Sequence, residues 1–492
     1  MMEGNLNRNS RVIVTLISAF VLVALLTSML SAQVLEKLPY SGGVLSARAI
    51  QAGRIQLPAA NSSNDVTNNP DLTCSPAPCV FTPVRASSGG QPSNESPVAV
   101  SPLSGLKLLS GANDYNCGNI QGFYASTNGG STWNHTCSPG SGGQGDPVVG
   151  YDRLGNTFAG GIQGGSFKIF ISTNDGTSWG APITVTGPLL GYLADKDWME
   201  VDHSPTSPFV NNIYYSGTQF ASNSDSQISV SVSSDQGHTW TSKLVDTRQH
   251  YPTFVDQFTD LGIGADGAVY VTWIRCPANG PAGDCGGTTT SVMFSKSLDG
   301  GLTWTPAAAA FTTNLAPDNC GAFYGCLPNT SERVSEIPAV EVVGSGATAK
   351  VYIVYYNWTG TKMQTMMRAS LDGGVTWNAG TVVSSASGDQ FFPWVSTLHG
   401  KVIASWLDRR NDPANVKYQP MFAVSNNSGT SFTPAHLLSN KQSNPLNDGF
   451  GGGFMGDYRT SVTTGRTFYA VWMDTTTGTN NVQDVFGGAL LK

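Results

Sequence analysis

An eight-residue phrase recurs along the chain and restricts the folds open to it more than any other feature. It stands most fully as Ser297-Leu298-Asp299-Gly300-Gly301-Leu302-Thr303-Trp304 and returns at Ser370–Trp377. Looser copies occupy Ser126–Trp133, Ser172–Trp179, Ser233–Trp240 and Ser425–Phe432, so six copies follow one another at intervals of 46 to 73 residues. A phrase repeated at such intervals marks a repeat architecture in which each copy belongs to one supersecondary unit. Its chemistry is that of a turn. Asp or Asn at the third place accepts hydrogen bonds from backbone N–H groups further on, closing an Asx-type turn. Gly at the fifth place supplies a positive φ, and the closing Trp or Phe buries its ring. The phrase places no nucleophile beside a base, so the turns read as structural.

The text between the phrases is strand-like. Before each phrase lies a run that often ends in an aromatic, as in Val269–Trp273, Val351–Trp358, Val402–Trp406 and Thr467–Trp472. Before each of these runs lies another short strand: 97–100, 147–150, 198–202, 253–255, 338–342, 393–396 and 459–462. A short strand follows the phrase, as at 243–245. Each unit thus has four antiparallel strands with its tight turn between the third and fourth. Seven units are counted, with six as the alternative if one has been split. The last, from Gly456, has no closing phrase and no outer strand, which the segment before Asn94 could supply. Four-stranded units repeated radially make an all-β propeller.

The chain divides into residues 1–32, 33–93 and 94–492. In the first, Arg8 and Arg11 precede an apolar run, Val12–Leu30, with a small-residue exit at Ser31-Ala32. This reads as a secretory signal, with a retained anchor as the alternative. The second is rich in Ser, Asn, Pro and Gly and reads as an arm or linker. Charged residues make up 12 % of the chain and the net charge is −7. With no basic face or run, nucleic acid is not expected as a partner. The eight cysteines suit an oxidising compartment. They fall into local pairs, 74 with 79, 117 with 137, 276 with 285 and 320 with 326, although the last four could cross-pair.

The phrase resembles the Asp-box, or BNR repeat, of the sialidase superfamily, and the likeness covers about residues 94–492. It implies a propeller with its boxes on the outer bottom rim and a sugar-binding mouth at the opposite ends of the strands. Asp-box propellers include sialidases, other glycoside hydrolases, sorting receptors and assembly factors. The mouth should collect residues entering each first strand: Glu95, Asp146, Asp195 with Asp197, Glu336, Asp389, and Asp457 with Tyr458. Residues leaving the second strands should join them: Asp114, Arg275, Asp408 with Arg409 and Arg410, and Asp474. A sialidase clamps its substrate carboxylate with three arginines and uses a Tyr nucleophile with a carboxylate partner and an Asp acid/base, an exception to the two-carboxylate scheme. By position the resemblance implies Asp114 as acid/base and Tyr458 as nucleophile, with Asp457 and Glu336 as catalytic carboxylates. Arg275, Arg409, Arg410 and Arg459, with Arg333 as a further candidate, would bind the anion.

One departure bears on substrate. Where sialidases carry Arg-Ile-Pro at the entry to the first blade, this chain has Glu95-Ser96-Pro97. A carboxylate stands in a clamp arginine's place and would meet a neutral sugar more readily than an acidic one. Three readings follow for the mouth acids: acid/base chemistry on a glycan, knitting of neighbouring blades, or a structural cation. No other cofactor is expected. The expected partner is an extracellular glycan or glycoconjugate met by a secreted or cell-surface monomer, with membrane attachment only through a retained N-terminal run. The alternative is a non-catalytic binding or scaffold propeller. Gly451–Gly456 matches GxGxxG only formally, without the strand-to-helix setting, and reads instead as a flap over the mouth. No HExxH or GxSxG is present. Trp198, Trp394 and Tyr458 are placed to stack on sugar rings or to pack between blades.

Overall fold

In the computed structural model, which describes residues 35–57, 78–476 and 481–491, the repeated phrase closes itself as its chemistry requires. Ser297 Oγ donates to Asp299 Oδ1 (2.8 Å) and accepts from the Gly301 N–H (2.8 Å). Asp299 accepts from the N–H groups of Leu302 and Thr303 and from the Thr303 hydroxyl. Gly301 has φ +86°, and the Trp304 indole N–H bonds its carbonyl. The same pattern of bonds recurs at Ser370–Trp377. These turns join third to fourth strands, which leaves the entries of the first strands at the other end of the molecule.

Seven sheets result. Blade 1 begins with a broken inner strand, Ser93–Asn94 and Val98–Ser101, and continues through Ser104–Asp114, Gly122–Ser126 and Asn134–Cys137. Blades 2 to 6 have four strands each. Their first strands are Val148–Tyr151, Leu193–Val201, Val255–Ile263, Ala339–Val343 and Gln390–Leu398. Their second strands are Thr157–Gln163, Ile213–Phe220, Val269–Cys276, Lys350–Trp358 and Lys401–Asp408. Blade 7 takes Ser461–Thr464, Thr467–Asp474 and Gln483–Leu490 from the end of the chain. Its outer edge comes from Cys79–Val80 and Val84–Arg85 near the beginning, both antiparallel to Gln483–Leu490. The ring therefore has seven blades and closes on the N-terminal segment. Blade 4 differs from the expected boundaries, since its first strand is Val255–Ile263 rather than 253–255. Trp273, Trp406 and Trp472, all on second strands, are fully buried in the main apolar core.

The first strands do not enter the ring smoothly. Register shifts interrupt them between Asp195 and Trp198, Gln257 and Asp260, and Phe391 and Trp394. Lys196, Phe258 and Phe392 sit within these bulges at φ +48°, +66° and +48°. Glu95 and Asp146, at the corresponding entries of blades 1 and 2, have φ +61° and +54°. A bulge re-aims a side chain that regular pleating would send into a sheet face.

Disulfides join Cys117 to Cys137, Cys276 to Cys285 and Cys320 to Cys326. The fourth expected pair includes Cys74, which lies outside the described residues, as does the whole of 1–32. No helix among the described residues is long and apolar enough to cross a membrane.

One α-helix is present among the described residues, α1 (Gly42–Gln51), capped by Ser41, whose Oγ accepts from the Val44 N–H. Its sequence, GGVLSARAIQ, opens on two glycines and is short for a helix that must form alone. Val44, Leu45, Ala47 and Ala49 are buried, so tertiary packing holds it.

Candidate functional site

At the blade entries five carboxyl groups converge, Glu95, Asp146, Asp195, Asp197 and Asp457, all fully buried, with Asp195 and Asp197 flanking the bulge of blade 3. Two cations stand with them. The Arg333 guanidinium forks onto Asp457, Nε to Oδ1 at 2.7 Å and a terminal nitrogen to Oδ2 at 3.0 Å. The Lys196 ammonium lies 4.1 Å from the Tyr458 ring centre and 5.2 Å from that of Trp198, and it donates to the Asp197 carbonyl. Both are cation–π distances.

The electrostatics follow from crowding like charges without water. Burial, then repulsion from Asp146 and Asp457, pushes the Glu95 carboxyl well above the usual carboxylate range. Asp146 is raised by burial and by Asp195, while Lys196 pulls the other way. Glu95 accepts from the Asp457 N–H and the Asn113 amide, and Asp146 accepts from the Lys196 N–H, so the two acids are raised side by side. The Asp197 carboxyl is also raised, chiefly by burial and by Asp146, although it accepts a short bond from the Tyr215 hydroxyl.

The mouth is occupied by the protein's own chain. Residues 39–43 cross it, and the N-terminus of α1 points into the acid ring. The Ser41 N–H donates to Asp195 Oδ2 (2.8 Å), and the Gly42 N–H donates to Asp457 Oδ2 (2.6 Å). The Pro39 carbonyl accepts from the Gln257 amide (3.0 Å) and the Tyr324 hydroxyl (2.8 Å), and the Tyr40 carbonyl accepts from Arg333 (3.0 Å). A Cβ on Gly43 would stand 2.5 Å from Asp146 Oδ1, and one on Gly42 would stand 2.0 Å from the Phe454 ring. The two glycines thus permit the close approach. The positive end of the helix dipole meets the carboxylates.

The glycine-rich segment expected as a flap packs on this helix. Asp448 gathers the N–H groups of Phe450, Gly452 and Phe454, and Phe450 and Phe454 join Ala49, Ile55 and Tyr115 in a small apolar cluster. Beneath the acid ring, Trp198 packs on Trp394 (4.8 Å) and Tyr458 (5.8 Å, edge-on). These aromatics pack on one another rather than facing a sugar. Further down, a cavity of about 250 Å³ runs between the first strands, with Glu200, Asp260 and Glu341 on one wall.

The expected site residues divide sharply. Glu95 and Asp457 are in the ring, with Asp146, Asp195 and Asp197. Tyr458 lies just below it, its hydroxyl donating to the Pro147 carbonyl and its pKa driven upward by burial and by Glu95. Arg459 lies behind Tyr458, where its Nε donates to the Val471 carbonyl. Burial lowers the Arg459 guanidinium to about 9. Asp114 turns away into blade 1, bonded to Tyr124, His135 and Asn116. Glu336 accepts the Tyr356 N–H within blade 5. Arg275 is held by Asp246 and Asp256, Arg410 by Asp408, and Arg409 reaches the Pro328 carbonyl and, at 3.6 Å, Asp389. Asp474 bonds the Trp472 indole. The residues leaving second strands therefore stay within or between blades. Lys196, Gln257 and Tyr324 were missed. Lys196 had a sequence signal, an isolated Lys between two acids at a blade entry.

Comparison with protein-family models gives no match, and neither does comparison with curated proteins. Solved structures do share the fold. An ulvan lyase, a polysaccharide lyase, matches with a TM-score of 0.50 at 12 % identity over 87 % of this chain and 95 % of its own. A Hadza microbial sialidase matches at 0.43 and 12 % over 70 % of this chain and 65 % of its own. An α-L-arabinanase from Penicillium chrysogenum matches at 0.42 and 14 % over 70 % and 92 %. What is shared is the propeller.

Proposed function

We propose that this chain is a secreted propeller of the Asp-box type that recognises an extracellular glycan at the ring of acids around its axis. The observation that carries the reading is the convergence of Glu95, Asp146, Asp195, Asp197 and Asp457 on one buried site with Arg333, Lys196 and Gln257, at the end of the strands opposite the repeated turns. Such a site offers many acceptors and a few donors, the complement of a sugar's hydroxyls. Its similarity in fold to glycan-acting propellers is in keeping with this.

Glu95 and Asp146, both raised by burial and by neighbouring acids, supply what hydrolysis needs, an acid and a base at one site. Glu95, held protonated by burial, would give its proton to a leaving-group oxygen, and ionised Asp146 would stabilise positive charge at the sugar carbon or activate water. A second reading, a binding propeller without turnover, is favoured by the use of Asp195 and Asp457 to hold peptide N–H groups. Both readings are tested with the chain from residue 33 on aryl glycosides, sialoside included, and on the corresponding free glycans. Turnover abolished by Glu95→Gln establishes hydrolysis through the acid pair. Binding without turnover establishes the second reading. If neither appears, in this chain or in the variants with a displaced helix described below, the glycan reading is overturned.

A further inference from the structure

We infer that residues 39–43 and α1 are a built-in competitor for the mouth, and that the bonds they make identify the ligand they exclude as an uncharged or amino-bearing sugar rather than an acidic one. The inference rests on the glycan reading above and narrows it.

The segment behaves as a ligand, since it forms no strand pairing with any blade and meets the ring through peptide groups. Two N–H donors fall on Asp195 and Asp457, and two carbonyl acceptors fall on Gln257, Tyr324 and Arg333. A sugar presents the same two kinds of group through hydroxyls, each both donor and acceptor. The match is incomplete on one side only. Asp146 Oδ1, Asp195 Oδ1 and Asp197 Oδ1 are buried with no hydrogen-bond partner, and such polar atoms are costly to leave unmet. The segment brings two peptide N–H donors to the ring, those of Ser41 and Gly42. A ligand with more donors, from hydroxyl or ammonium groups, would satisfy oxygens that the peptide leaves bare.

The commitment of the guanidinium groups argues against the acidic class. Five carboxyl groups face two cations, and Arg333 already spends two of its bonds on Asp457. None of the other arginines expected to clamp an anion reaches the ring: Arg275 is paired with Asp246 and Asp256, Arg410 with Asp408, Arg409 lies against Pro328 and Asp389, and Arg459 is behind Tyr458. A sugar carboxylate placed here would meet several acids, while the guanidinium whose terminal nitrogens lack partners, that of Arg459, is anchored through Nε to the Val471 carbonyl behind Tyr458.

The experiment uses the chain from residue 33 carrying Gly43→Leu, whose side chain cannot share space with Asp146. A second variant, Ser41→Pro, replaces the N–H bonded to Asp195 with a ring methylene and removes the cap hydroxyl, leaving Gly42 and Gly43 unchanged. Hydrogen exchange at residues 41–45 reports whether the helix has left. Calorimetric titration with a glucosamine trimer, an N-acetylglucosamine trimer and sialyllactose reports what the opened mouth binds. The expected result is exchange at least tenfold faster in the variants, with the glucosamine or N-acetylglucosamine trimer binding at least tenfold more tightly than to the parent chain and sialyllactose not binding. Equal affinity in parent and variants, or preference for sialyllactose, overturns the inference. Faster exchange with no sugar bound leaves a displaceable helix but removes the glycan as its competitor, so the two failures are distinguishable. If both variants fail to fold, the helix is an integral part of the fold and the inference is likewise overturned.

Discussion

Lys196 shows how much one side chain can decide. It is fully buried, held at a positive φ, and lies over two aromatic rings at the centre of five acids. Its charge pulls Glu95, Asp146 and Asp197 down while burial pushes them up. Lys196→Met keeps the length and removes that pull. The acids then hold their protons to higher pH in the folded chain, while the unfolded chain releases them near pH 4. Stability should therefore fall little at pH 5 and clearly more at pH 8, each unit of pKa shift being worth about 1.4 kcal/mol. Urea unfolding at both values checks it, and an equal loss at both would rule out the electrostatic role. At this scale the sequence was informative at the blade entries and misleading at the exits. An entry residue lies on the strand nearest the axis, where a bulge can aim it inward. An exit residue lies one strand further out, about 5 Å in sheet spacing, and finds its partners inside its own blade, as Asp114 and Arg275 do.

Among elements, the repeated turn and α1 are opposites. The turn was legible because its bonds are local: Ser297, Asp299, Gly301 and Thr303 satisfy one another within seven residues. Ser297→Ala would leave the buried Gly301 N–H without its acceptor and should cost about 1–3 kcal/mol. Leu298→Ala, at an exposed neighbour, should change stability by less than about 0.5 kcal/mol, and chemical denaturation of the two variants checks the contrast. The helix was illegible for the complementary reason. Two glycines at its start and the absence of acids from its first turn argue against a helix locally, and the carboxylates that hold it come from Asp195 and Asp457, far along the chain.

For the whole molecule, the blade count followed from the repeat, because six turns and a seventh unit without one require an outer strand from elsewhere. The axis also gives the molecule a pH dependence. Burial raises Asp260 to about 8 and Glu341 to about 7, and Glu200 rises with them. Between about pH 4, where unfolded carboxyls release their protons, and these values, the folded chain keeps protons that the unfolded chain loses. Stability should decline as pH rises through that window, by on the order of 1.4 kcal/mol per pH unit for each acid held fully protonated. Melting temperatures from pH 5 to 8 should show the fall, and Asp260→Asn with Glu341→Gln should flatten it. An unchanged slope would place the titrating groups elsewhere.

The way the ring closes also fixes an order of events. Cys79–Val80 pairs with Ala489 and Leu490, so a chain still being made has no partner for the outer edge of its last blade, and the first and last blades cannot meet until nearly the whole sequence has emerged. Contacts this distant in sequence are slow to form. The Gly42 N–H lies 415 residues from Asp457, its acceptor, and the cup that receives it takes walls from blades on both sides of the closure. Residues 39–51, synthesised early, are therefore seated last, and no strand pair joins them to a blade.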